Sequence, residues 1–246
     1  MKREDKTSIG YELALETSGP VGGVALGLDG KLLDAQTFPG PKAHAADLLP
    51  TIDALCRGHS VTPSMLSCVY VSIGPGSFTG LRVAVAAARM LAWSIGTKLV
   101  GVPTLEVIAQ NALDDVDPPD EVAVILDAKR GRVYGDAFRR RGGMFCSDGE
   151  PAEMEPGRFL ASRDPRCAVL GDGILHHRQA VDAARLRILP ESLCLPRAET
   201  VLRLGHDRAS RGLIQDSRTL IPIYVRPPEA QEKWLQRQTR QSPTYL

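Results

Sequence analysis

The stretch VSIGPGSFTGLRVAVAAARMLAWSIG, residues 71–96, decides how the chain is read. A β-like run meets Gly74, Pro75 and Gly76, and a long segment of small apolar residues follows, interrupted only by Arg82 and Arg89. Strand, glycine turn and helix together make an anion-binding geometry, because the first N–H groups of a helix lack internal partners and carry partial positive charge. Gly74, Gly76 and Gly80 let backbone approach a ligand closely, and Ser77 or Thr79 can cap the helix. Two readings follow: a cradle for a nucleotide or phosphate, or a tight capped strand-to-helix turn. GPGSFTGLR has no Walker lysine. Nor is it a GxGxxG turn with an acidic partner about 20 residues on.

The helix that follows is apolar on nearly every face: Leu81, Val83, Ala84, Val85, Ala86, Ala87, Ala88, Met90, Leu91 and Ala92. A helix covering a sheet needs one apolar stripe and shows water the other face. This one calls for two covers. HAADLLPTIDALCRG (44–58) reads as a second helix whose Leu48, Ile52 and Leu55 fall at i, i+4 and i+7. That helix can cover part of the extra face and a partner subunit the rest. The partner surface expected from these segments comprises Leu48, Ile52, Leu55, Phe78, Leu81, Arg82, Val85, Ala88, Arg89 and Ala92.

Working outward, YELALETS (11–18) reads as a strand, and residues 21–38 as two more joined at Asp29-Gly30, a hairpin-turn dipeptide. Residues 66–74 and 98–103 are further strands, 77–95 the long helix and 104–113 another. The order β-β-β-α-β-α-β-α implies an α/β protein with a mixed sheet flanked by helices. DDVDPPD (114–120) reads as a connection. EVAVILDAKRGRVYGDAFRR (121–140) then repeats the opening pattern of an apolar strand ending in a carboxylate, a turn and a returning strand, so two duplicated lobes are expected. The second is less complete, with a strand at 167–173 and helices near 176–186 and 198–212. The expected division is a polar leader (1–10), a first lobe (11–113), a second lobe (114–225) and a partly disordered tail (226–246).

Composition narrows the function. The 246 residues are 43% hydrophobic and 24% charged, with a net charge of +1, which gives no sign of an autonomous nucleic-acid binder. Cys56, Cys68, Cys146, Cys167 and Cys194 show no CxxC or zinc-finger spacing and read as free thiols of a reducing compartment. MKREDKTSIG is charged and unlike a signal peptide. The apolar run near 83–96 is shorter than the ~20 residues of a membrane span, so a cytoplasmic protein away from membranes is expected. His44, His59, His176, His177 and His206 include no i, i+4 pair for a metal, and Ser77 has no neighbouring base in sequence.

LALETS, HAADLLPTIDAL, SIGPGSFTGLRVAVAAARMLA, GVPTLE, DAKRGRVY and PIYVRPPEA stand in the order and spacing of the TsaB (YeaZ) family, which the chain resembles over about 11–230. GPGSFTGLR is the most specific piece. The resemblance implies an ASKHA (actin/Hsp70/sugar kinase-like) fold of two lobes, the second reduced. It implies a non-catalytic subunit that binds its paralogue TsaD, with the small ATPase TsaE, for N6-threonylcarbamoylation of the adenosine next to the anticodon in ANN-decoding tRNAs. Homodimers through the first-lobe helices are implied too, with tRNA reached through the complex. No cofactor of its own is expected, ATP or ADP belonging to the complex. Two positions depart from the family: Glu16-Thr17 replaces Asp-Thr, and Asp127-Ala128-Lys129 replaces Asp-Ala-Arg. Lysine does not reproduce bidentate guanidinium contacts. The alternative is a small-molecule or sugar kinase-like enzyme of the same fold, using Glu16, Thr17, Ser18, the glycine turn, Asp127, Lys129 and Arg130 around a nucleotide.

Overall fold

The structure, a computed structural model, describes residues 10–39 and 44–224. The expected leader and the expected tail from 226 lie outside the described residues, apart from Gly10.

β1 (Tyr11–Glu16), β2 (Val21–Leu28) and β3 (Lys31–Pro39) form an antiparallel meander. Asp29 and Gly30 turn the first hairpin with φ of 48° and 75°, the double positive φ that a two-residue type I′ turn requires. α1 (His44–Gly58) leads to β4 (Leu66–Gly74), which lies parallel to β1. α2 (Phe78–Ile95) then returns the chain to β5 (Lys98–Pro103), parallel to β4. The sheet order is β3-β2-β1-β4-β5. Leu13 and Leu15 face α1 and α2, whereas Ala14 faces the other side, and all three are fully buried. Burial on both faces explains why the strand reads as a continuous apolar run rather than an alternation.

α3 (Thr104–Asn111) packs against both sheets and joins the lobes. In the second lobe β6 (Glu121–Asp127), β7 (Val133–Arg141) and β8 (Met144–Ser147) repeat the antiparallel meander, with β9 (Ala152–Met154) pairing β7. α4 (Pro156–Ala161), β10 (Ala168–Leu170), α5 (Gly173–His176), α6 (Arg178–Ala184) and β11 (Arg187–Ile188) complete the lobe. The order β11-β10-β6-β7-β8 is that of the first sheet, with the same pattern of parallel and antiparallel pairs and with β8, β10 and β11 shorter than their counterparts. The expected duplication is present.

The lobe boundary differs from the expectation. α7 (Ala198–Ser210), assigned by sequence to the second lobe, packs on β1, β2, β4 and β5 of the first. Val201, Leu202 and Leu204 bury themselves against Ala14, Ala25 and Tyr70 on the face opposite α1 and α2. A polar pin fixes it: the buried Glu12 carboxylate accepts Tyr70 Oη at 2.9 Å, Gly30 N at 2.8 Å and His206 Nδ1 at 2.7 Å. Residues 213–224 then run along the edge of β5. Gln215 N donates to Leu99 O at 2.9 Å and Gly101 N donates to Gln215 Oε1 at 2.8 Å, so that edge is covered.

α2 is the one helix among the described residues with the length and apolarity of a membrane span, at 18 residues and mean hydropathy 1.2. It packs on β4 and β5 of the first sheet, beside α1, which lies on β2 and β3. Ser77 caps it by accepting Gly80 N at 3.3 Å, and Gly96, with φ 68°, ends it in the left-handed conformation.

Candidate functional site

The ends of β1 and β4 are stitched into one turn. Glu16, 1% exposed, accepts Ser18 N and Ser18 Oγ, both at 2.5 Å, and Ser72 Oγ by a short bond. Burial pushes its carboxyl above the ordinary range, and the serine hydrogen bonds oppose that shift without cancelling it. Thr17 Oγ1 donates to Gly80 O at 2.7 Å, and Ser77 N to Ser18 O at 2.7 Å. Gly74 has φ 104° and precedes Pro75 through a cis bond. Gly76 lies so close to β1 that an added Cβ would stand 2.5 Å from Ser18 O. Gly76 carries no positive φ, so it is close approach that demands a glycine there.

The corresponding turn of the second lobe follows β6. Lys129, Arg130 and Gly131 carry φ of 64°, 53° and 74°, and each of the two side-chain-bearing residues is strained there by about 1–3 kcal/mol. Asp127 Oδ2 accepts Lys129 Nζ at 2.6 Å, Oδ1 accepts Lys129 N at 3.0 Å, and His177 Nε2 is 3.3 Å from Oδ1. Partial burial works to raise the Asp127 carboxyl, yet the Lys129 hydrogen bonds and charge outweigh it and hold the group below its usual range. Asp172, at the end of β10, accepts Asp127 N at 3.2 Å. Burial, aided by the Asp127 charge, pushes its carboxyl up. The two acids are thus driven apart in acidity.

Between the turns lies a cleft of about 550 Å³. Ser18, Gly76, Ser77, Asp127 and Lys129 line it, as the nucleotide-proximal reading required. Other members of that set stand elsewhere. Glu16 and Thr17 are buried beneath the turn, Gly74 is backed by Ile223 O and Leu81, Gly80 is buried in α2, and Thr79 and Arg130 are exposed outside the cleft. Thr104, Asp172 and His176 also line the cleft and were not anticipated. The GDG after β10 repeats the carboxylate-at-strand-end pattern of Asp127 and was a usable signal for Asp172.

The expected partner surface needs correction. Leu48, Ile52, Leu55, Leu81, Val85, Ala88 and Ala92 are between 0% and 7% exposed and form the core of the first lobe. The two covers that α2 required are the sheet and α1, so these side chains cannot themselves touch a partner. Arg82 and Arg89 hold the C-terminal segment instead. Arg89 Nε and Nη2 donate to Ser217 O at 2.6 Å and Arg218 O at 2.5 Å. Arg82 Nε donates to Tyr224 Oη at 3.1 Å while its guanidinium lies 3.9 Å from the centre of the Phe78 ring. Phe78 and Tyr224 are 5.4 Å apart. The large apolar side chains these helices do expose are Leu49 on α1 and Phe78, Met90 and Trp93 on α2, at 47%, 37%, 51% and 71%.

Two duplicated lobes of this strand order, closing on a cleft at the carboxylate-bearing ends of β1 and β6, define an ASKHA-type protein. The family model described as TsaD, tRNA N6-adenosine threonylcarbamoyltransferase, matches residues 40–161. The tRNA threonylcarbamoyladenosine biosynthesis protein TsaB of Bacillus subtilis (strain 168) is 28% identical over 234 residues, covering 92% of this chain and 98% of that protein. TsaB of Escherichia coli (strain K12) is 24% identical over 225 residues, covering 90% and 96%. The solved structure of YeaZ from Pseudomonas aeruginosa superposes with a TM-score of 0.77 at 28% identity, covering 88% of this chain and all of that one. The chain belongs to the TsaB (YeaZ) family.

Proposed function

We propose that this chain serves tRNA threonylcarbamoyladenosine biosynthesis in the cytoplasm as a non-catalytic subunit that binds TsaD, together with TsaE. In this reading TsaD carries the active site and transfers the threonylcarbamoyl group to the adenosine next to the anticodon of ANN-decoding tRNAs. The tRNA, and any ATP or ADP, is met through the complex. Family membership supports the pathway. The observation that carries the subunit role is the pair of large apolar side chains, Met90 and Trp93, left exposed on a helix whose other faces are sealed within the lobe. Large exposed apolar groups of this kind mark association surfaces, and aromatic residues dominate binding energy at interfaces. A kinase-like role is less well supported. Glu16 lies beneath the turn and is saturated by serine hydrogen bonds, and Asp127 is tied to Lys129.

The test mixes the purified chain with TsaD of the same organism and measures complex mass and affinity, with Met90→Glu and Trp93→Glu as probes. Both positions are exposed, so both variants keep the wild-type fold. Each is expected to weaken the complex at least tenfold, on the order of 1.4 kcal/mol. A homodimer using the same face would show the same sensitivity without TsaD. Unchanged TsaD affinity in both variants refutes this surface. ATP turnover or tRNA modification by the chain alone refutes the non-catalytic role.

A further inference from the structure

The chain crosses between the lobes twice, through α3 and again through residues 193–197 on the way to α7. α3 belongs to both cores at once. Leu105, Ile108 and Ala109 are buried in the second-lobe core, while Val107 is buried in the cluster beneath α7 on the first sheet. The last two residues of α3 are buried amides. Gln110, 1% exposed, meets β8 as a neighbouring strand would: Nε2 donates to Phe145 O at 2.6 Å and Oε1 accepts Phe145 N at 3.0 Å. β8 is an edge of the second sheet, so this clasp takes the place of a further strand. Asn111, fully buried, sits where the two crossings meet. Its Nδ2 donates to Leu193 O at 3.2 Å and to Leu195 O at 2.7 Å, and its Oδ1 accepts Thr200 Oγ1 of α7 at 2.8 Å. Arg208 of α7 pairs with Glu106 of α3 at 2.6 Å. Met144 of β8 packs against the first-lobe cluster that holds Ala14 and Tyr70.

Rotation of one lobe against the other has to break one of these sets of contacts. It leaves a buried amide or backbone group without its partner, which costs the desolvation of that group. It also opens the apolar surface that α3 shares between two close-packed cores. We infer that the two lobes of this chain are locked at one angle, with Gln110 and Asn111 as the lock, and that the cleft does not close by hinge motion. Occupancy of the cleft is therefore not signalled to the exposed face of α2 by domain closure. That face and the second lobe are presented together at a fixed geometry. The lock is internal to the chain and holds whichever partner covers α2.

Native-state amide exchange of the full chain reads the lock directly. A hinge that opens releases the Phe145 N–H, the donor to Gln110, well before global unfolding. In the locked protein the Phe145 amide is expected to exchange only on global unfolding, with the protection and the denaturant dependence of the β6 amides. Gln110→Ala should speed Phe145 exchange by about tenfold or more while β6 stays protected. The second measurement is the distance between nitroxides at Thr79→Cys and Gln179→Cys, in a chain that also carries Cys56→Ser and Cys146→Ser. Both labelled positions are exposed, on α2 and α6, close in sequence to the cleft residues Phe78 and His176. One narrow distance distribution is expected, and Gln110→Ala and Asn111→Ala should each broaden it. Where an alanine variant fails to fold, the amide exchange of the wild type and the distance distribution without the alanine decide alone. Three results overturn the lock: Phe145 exchange through a denaturant-sensitive opening smaller than global unfolding, a broad or two-peaked distribution without the alanine changes, or a folded Gln110→Ala variant in which neither quantity changes.

Discussion

Replacing Gly76 by alanine tests the stitching of the two strand ends most directly. An added Cβ would stand 2.5 Å from Ser18 O, 2.9 Å from Ser18 Cβ and 3.1 Å from Ser18 C. None of these atoms is the free end of a flexible side chain. Ser18 O accepts Ser77 N at 2.7 Å, and Ser18 N is held by Glu16. Relief requires the turn to move away from β1 and stretch the Ser77–Ser18 bond. Overpacking contributes about 1–3 kcal/mol and the hydrogen bond about 1 kcal/mol, so the variant should lose roughly 2–4 kcal/mol. In a chain of this size that lowers the melting temperature by roughly 5–15 °C. Gly58→Ala is the control, because a Cβ there meets nothing within 4 Å. Urea unfolding of both variants decides the matter. A Gly76→Ala stability within about 0.5 kcal/mol of wild type would refute the close-packing argument.

Arg89→Ala should release residues 213–224 at a cost of about 2 kcal/mol, since it removes two charge-assisted bonds to Ser217 O and Arg218 O; amide exchange in that segment should rise, and Arg89→Lys should restore it only in part. Leu48→Ala should cost about 2–5 kcal/mol by leaving a cavity in the core, whereas Leu49→Ala, exposed on the next position of α1, should cost under about 0.5 kcal/mol by denaturant titration. Glu16 carries a folded-state pKa above its ordinary 4.5, so the native state binds more protons than the unfolded chain just above pH 4.5. Its contribution to stability therefore falls as pH rises from 4.5 through the folded value, and Glu16→Gln should flatten that part of the stability–pH curve.

The first lobe was legible in the sequence because its boundaries are written in local chemistry. Asp29-Gly30 demands a hairpin, Gly58 and Gly96 end helices, and Ser77 caps α2. The second lobe was harder. β10 and β11 span three and two residues, too short for a periodic signal, and β8 and β9 are brief polar-edged strands. The assignment of α7 failed for a different reason. Its packing partner is set by the face of the first sheet carrying Ala14, Ala25 and Tyr70, far away in sequence. The need of α2 for a second cover was read correctly: α1 takes the part expected of it, and the outer stripe with Met90 and Trp93 stays exposed. Asp127 and Lys129 were recoverable from the repeat of the β-turn-β pattern. Thr104 was not, because nothing local distinguishes a capping threonine from one that lines a cleft.

The return of α7 to the first sheet has a consequence for how the chain reaches its folded state on the ribosome. Synthesis delivers β1 to β5 early, together with the α1 and α2 that cover one face. The opposite face, with Ala14, Ala25, Cys68, Tyr70, Val100 and Val102, meets Val107 of α3 early and waits for Val201, Leu202 and Leu204 to complete its cover. About a hundred residues separate β5 from α7, and at ~5–20 residues per second that interval lasts several seconds or more. The second lobe, continuous from β6 to β11, can close within it. The lobe made first is therefore finished last, and the half-covered sheet face between those two moments is the natural client surface for a nascent-chain chaperone.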